Sequence, residues 1–153
     1  VSERVDPEPP READAFLRAY QGRLVGALRW QDLDRLWKRV LAEPAGWYVY
    51  AVGEVPPAGV APPERLREFV ESVDRLLREE HEEDYCGIVY ADDLEAPSFV
   101  KVYDPGNLGA VCGTSGVPTL PGWTLSRVPP VDLPSAFPPP GNRRRWWRRL
   151  FGG

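Results

Sequence analysis

Residues 47–52, WYVYAV, and residues 63–77, PERLREFVESVDRLL, decide the fold between them. The first run is β-branched and aromatic and lies between Gly46 and Gly53, the composition of a strand bounded by turn residues. The second opens on Pro63, carries Glu64 and Glu68 in its early turns, and sets Leu66, Phe69, Val70, Val73, Leu76 and Leu77 on one stripe. That is an amphipathic helix with its start signal in place. Downstream, residues 86–91 and 98–103 are short strand-like runs separated by DDLEAP, which predicts a hairpin. A Gly/Pro-rich loop, residues 104–122, then leads to a last predicted strand over 123–128.

Upstream, Phe16, Leu17, Tyr20, Leu24 and Leu28 follow Pro10 at helical spacing, although Gly22 and Gly26 weaken that helix toward its end. Asp32 is the expected N-cap of a second helix with Leu33, Leu36, Trp37, Val40 and Leu41 as its stripe, stopping before Pro44. The order helix, helix, strand, helix, strand, strand, loop, strand predicts an α+β domain. Its sheet is small, mixed or antiparallel, of three to four strands, with helices packed mainly on one face. The expected domain spans residues 11–129, after a disordered polar arm at 1–10 and before a proline-rich linker and basic tail at 130–153.

With 42% apolar and 27% charged residues, the 153-residue chain has the composition of an ordinary globular domain. No stretch approaches the roughly 18–20 continuous apolar residues of a membrane span, and residues 1–16 hold no apolar signal region. Two cysteines, Cys86 and Cys112, are too few for a disulfide framework, so reduced thiols and a cytoplasmic location are expected. No pattern implies a cofactor, and the sequence does not speak to oligomeric state.

Charge is unevenly placed. Residues 79–95 hold Glu79, Glu80, Glu82, Glu83, Asp84, Asp92, Asp93 and Glu95 and no Lys or Arg. Residues 143–149 hold Arg143, Arg144, Arg145, Arg148 and Arg149 around Trp146 and Trp147 and no acid. Taking those five positive charges from the net −4 leaves −9, and such a body repels phosphate backbones, so nucleic-acid binding by the folded part is not expected. Glu79, Glu80, Glu83 and Asp84 sit where the long helix should end, at the negative pole of its dipole, where stability alone would place cations. With Asp92 and Asp93 they form a candidate docking patch for a cationic group, either a partner's or the chain's own arginines.

The tail, FPPPGNRRRWWRRLFGG, reads as a docking peptide for a protein partner, or as a weak contact with an anionic membrane surface. The terminal Gly152-Gly153 is how ubiquitin-like modifiers end, but the predicted element order does not open on their β-grasp hairpin.

His81 is the sole histidine and continues the apolar row of the long helix. It lacks the ligand spacing of a metal site, so no metal is assigned. Cys112, in NLGAVCGTSGVP, is a candidate thiol nucleophile if His81 reaches it, and otherwise packs a loop. There is no GxxxxGK[ST] phosphate-binding motif. Tyr48, Tyr50, Tyr90, Phe99, Tyr103 and Trp123 are candidates for an uncovered sheet face, where clustered aromatics would mark a binding surface. The expected function is a non-catalytic, protein-binding accessory or assembly factor with an acidic body and a basic aromatic docking tail. The alternatives are a small thiol enzyme using Cys112 and a peripheral membrane protein held by the tail.

Overall fold

The computed structural model describes residues 12–81, 86–106 and 119–137. In chain order these form α1 (Glu12–Gln21), β1 (Val25–Gly26), α2 (Trp30–Ala42), β2 (Tyr48–Ala51), α3 (Pro63–Glu80), β3 (Val89–Ala91), β4 (Phe99–Val102), β5 (Trp123–Ser126) and α4 (Leu133–Ala136). The strands make one sheet in the order β1-β3-β4-β5-β2, with every neighbouring pair antiparallel. The class is α+β, as the sequence predicts, but the sheet has five strands rather than three to four.

The additional strand is β1, and it displaces the end of the first predicted helix. That helix stops at Gln21, and a Cβ on Gly22 would lie 2.9 Å from the Arg18 carbonyl oxygen, too close for any other residue. Residues 25–28 run extended along β3 instead. Ala27 N–H donates to Val89 O at 2.8 Å, and Leu28 O accepts from Cys86 N–H at 2.8 Å. Leu28, expected on the helix stripe, is 62% exposed. Two paired residues leave no alternation to read in the sequence, so only their partner strand defines them.

α2 and α3 cover one face of the sheet. Leu33, Leu36, Trp37 and Val40 of α2 and Leu66, Val70, Val73 and Leu77 of α3 pack on Trp47, Val89, Ala91, Val100, Val102 and Leu125. Two polar links fix the helices to each other: Trp37 Nε1–H donates to Asp74 Oδ1 at 3.2 Å, and Arg78 pairs with Asp34 at 2.6 Å. α2 begins one turn earlier than Asp32 suggests. Asp32 occupies the third helical position and its carboxylate accepts the Arg29 N–H at 3.1 Å, a reciprocal cap that holds its pKa below the usual 3.8.

The opposite face is covered too. Phe16 of α1 meets Phe99 edge-on at 5.5 Å and Tyr50 at 6.5 Å, and with Leu133 these form a second buried cluster. Val131 and Phe137 pack against it, and Leu133 N–H donates to the Tyr50 hydroxyl at 3.1 Å. Residues 130–137 therefore belong to the domain, and the boundary expected at residue 129 falls too early. Prolines made this stretch look like a linker, while the apolar residues between them carry it onto the sheet.

Candidate functional site

The described part of the acidic run is divided, and its Asp92, Asp93 and Glu95 are engaged within the chain. Glu79 and Glu80 are exposed at the end of α3, and His81 closes the helix through its N–H to Leu77 O at 2.9 Å. The His81 ring meets the edge of the Trp30 ring at 6.2 Å, at the start of α2. The cation that the helix dipole favours is Arg78, which pairs with Asp74 at 3.0 Å and lies 4.9 Å over Trp30.

Asp92 and Asp93 serve their own loop. Asp92 accepts from the N–H groups of Ser98 at 2.9 Å and Phe99 at 3.0 Å and from the Ser98 hydroxyl. Asp93 accepts from Glu95 N–H at 2.8 Å and Ala96 N–H at 3.2 Å, the side-chain turn by which Asp closes tight loops. Glu95 pairs with Arg39 at 3.1 Å. Trp30 and Arg39 lie nine residues apart on α2, about 13 Å along its axis, so the two acidic halves flank opposite ends of that helix. Glu83 and Asp84, Cys112 and the tail residues 143–149 lie outside the described residues.

The six aromatics expected on an uncovered face separate into four environments. Tyr50 and Phe99 are buried beneath α1 and α4, Trp123 packs toward α2 and α3, and Tyr48 is half-buried on the edge strand β2. Tyr50 and Phe99 thus lie on a covered part of the sheet, because α1 and α4 pack there.

Tyr90 and Tyr103 instead surround Lys101. On the α1 side the register aligns Gly26, Tyr90, Lys101, Thr124 and Tyr50 in one row across all five strands. A Cβ on Gly26 would lie 3.1 Å from the Tyr90 ring, so glycine lets that ring fold over the sheet edge. The Lys101 ammonium lies 5.2 Å from the Tyr20 ring, 5.5 Å from Tyr90 and 5.2 Å from Tyr103. Among the described residues no carboxylate lies within 4.0 Å of it, so ring faces hold the cation. Burial, and then the proximity of Tyr103, push the Tyr20 hydroxyl up to about 12. Thr124, next to Lys101 in the row, is fully buried, and among the described residues its hydroxyl has no hydrogen-bond partner. The cage is occupied by the protein's own lysine.

The solvent side of α2 carries an open cationic surface that the charge blocks concealed. Arg35, Lys38, Arg39 and Ala42 of α2 line a groove of about 570 Å³ closed on one side by Glu95. A second groove of about 350 Å³ shares Arg39, Ala42 and Glu95 and continues past Glu43, Pro97 and Ser98 to Arg127, so this groove's two guanidinium groups are matched by two carboxylates. Arg127 is built into the frame: its guanidinium stacks 4.1 Å from the Trp47 ring, donates to Glu43 O at 2.8 Å and bonds Ala45 O. Among the described residues neither Arg35 nor Lys38 has a carboxylate within 4.0 Å. Positions 35, 38, 39 and 42 share one helical face, a signal present in the sequence but dispersed among apolar residues rather than clustered.

Cys86 is a core residue whose burial raises its thiol pKa. Among the described residues, no group of three or more His, Cys, Asp or Glu could hold a metal ion, and no helix is long and apolar enough to cross a membrane. The fold thus defines a five-stranded antiparallel α+β domain with helices on both faces and an open charged surface along α2. Comparison with known families, with characterised proteins and with solved structures gave no match.

Proposed function

We propose that this protein is a non-catalytic, cytoplasmic accessory or assembly factor that works by binding another protein, with residues 143–149 as a basic aromatic docking arm. The observation that carries the reading is the face of α2. There, among the described residues, neither Arg35 nor Lys38 has a carboxylate within 4.0 Å, and both stand beside an open groove. Small-molecule sites enclose most of their ligand, whereas an open surface with unpaired charge suits a macromolecular partner steered by complementary charge. The free, buried Cys86 thiol is consistent with a reducing compartment.

Deleting residues 140–153 tests the arm, because the described fold ends at residue 137. An arm that serves docking rather than packing should leave the melting temperature within about 2 °C. The set of proteins retained from cell lysate, compared by mass spectrometry with and without the arm, should lose specific members. Identical sets would refute the docking role, and a large fall in melting temperature would make the arm structural.

A further inference from the structure

We infer that the cationic groove lined by Arg35, Lys38 and Arg39 of α2 receives an extended acidic segment of a protein partner, a reading that rests on the protein-binding proposal and gives the partner its chemistry. Arg35, Lys38 and Arg39 follow one another at helical spacings of three and four, which puts their side chains on adjacent positions of one face. The shared lining residues Arg39, Ala42 and Glu95 set the second groove, where Glu43 and Glu95 balance Arg39 and Arg127, beside the first. Arg35 to Ala42 covers about 10 Å of helix, roughly three residues of extended chain. Ala42, with Ala96 and Pro97 of the adjoining groove, gives apolar wall as well as charge, which suits peptide methylenes better than a bare phosphate chain.

Glu95 indicates which group the cations accept. Its carboxylate meets Arg39 at 3.1 Å while its side chain remains 70% exposed. An exposed pair of this kind is held weakly, so an incoming carboxylate can displace it. Glu95 thus occupies one position of the groove from within the chain and leaves Arg35 and Lys38 for the partner.

The probe is a short fluorescein-labelled peptide of alternating Glu and Ala, titrated with the full chain and followed by anisotropy at low and at physiological salt. The double variant Arg35→Glu with Lys38→Glu should weaken binding by about tenfold or more at low salt. Glu95→Gln should tighten it, because the competitor is removed. Arg65→Glu with Arg67→Glu, an equal charge change on exposed positions of α3, should alter it by less than about threefold. Equal losses in the two double variants would overturn the inference, as would no change with Glu95→Gln. Equal binding of a Lys–Ala peptide, or of a single-stranded oligonucleotide, would overturn it too. If the groove variants leave the probe unaffected while deletion of residues 140–153 still removes partners, the groove assignment fails and the protein-binding reading survives.

Discussion

Thr124→Val should make the protein more stable. Thr124 lies on the interior strand β5, with Lys101 and Tyr50 as its cross-strand neighbours, and is fully buried. Among the described residues its hydroxyl has no hydrogen-bond partner, so folding strips it of water without compensation from them. Leaving such a group unsatisfied costs about 1–3 kcal/mol, and valine keeps the β-branched shape that a central strand favours. Part of the gain is lost to the extra bulk of a methyl group, so the net stabilisation should be about 1–2 kcal/mol. For a chain of this length that is a rise of roughly 2–8 °C in melting temperature.

Ser126 supplies the control. It stands two residues along the same strand, is equally buried, and its hydroxyl donates to Val128 O at 2.7 Å. Ser126→Ala should therefore destabilise by about 0.5–1.5 kcal/mol. Urea unfolding followed by tryptophan fluorescence reads both, with midpoints moving in opposite directions and slopes unchanged. A lower midpoint for Thr124→Val would refute the reasoning and show that the hydroxyl is satisfied in solution by a bound water or ligand.

Two further outcomes follow from the second cluster. Leu133→Ala should cost about 2–5 kcal/mol and Tyr50→Phe about 1–3 kcal/mol, the latter by leaving the Leu133 N–H without its acceptor. Unchanged urea midpoints would mean that α4 does not dock. Tyr20 is raised from 10.0 to about 12, so its contribution is fully present below pH 10 and is lost as pH rises from 10 toward 12. Phenolate absorbance should lose a late-titrating component in Tyr20→Phe, while Tyr50, also raised by burial, still titrates late, and that variant should lose less stability than the parent across the same pH window.

Lys101 shows how a fold can hold a cation without a carboxylate. Its three ring partners come from α1, β3 and the residue after β4, so the cage exists only once α1 lies across the sheet. The aromatic residues that composition marks for an exposed surface are used within the domain, for packing and for holding this one charge.

The sequence by itself determined the elements whose signal repeats within a few residues. The stripes of α2 and α3, the aromatic run of β2 and the two arms of the β3–β4 hairpin are local patterns, legible because amphipathic spacing is set by helix and strand geometry alone. It also set the charge blocks and, in Arg35, Lys38 and Arg39, the cationic face of α2, although that face emerges only when the helix is drawn as a cylinder.

Tertiary structure decided the rest. β1 is too short to announce itself and is defined by β3, and α4 is fixed by the Tyr50 hydroxyl and the pocket around Leu133. The purely antiparallel order arises because β4 and β5 insert between β2 and β3, a choice among distant pairings that no local window contains. The acidic run was one block in the chain but becomes two sites in space. α3 carries its end to the start of α2, and the hairpin carries Glu95 to the far end. Sequence proximity measures distance along the backbone, and a helix packed antiparallel to its neighbour turns that into separation across the fold.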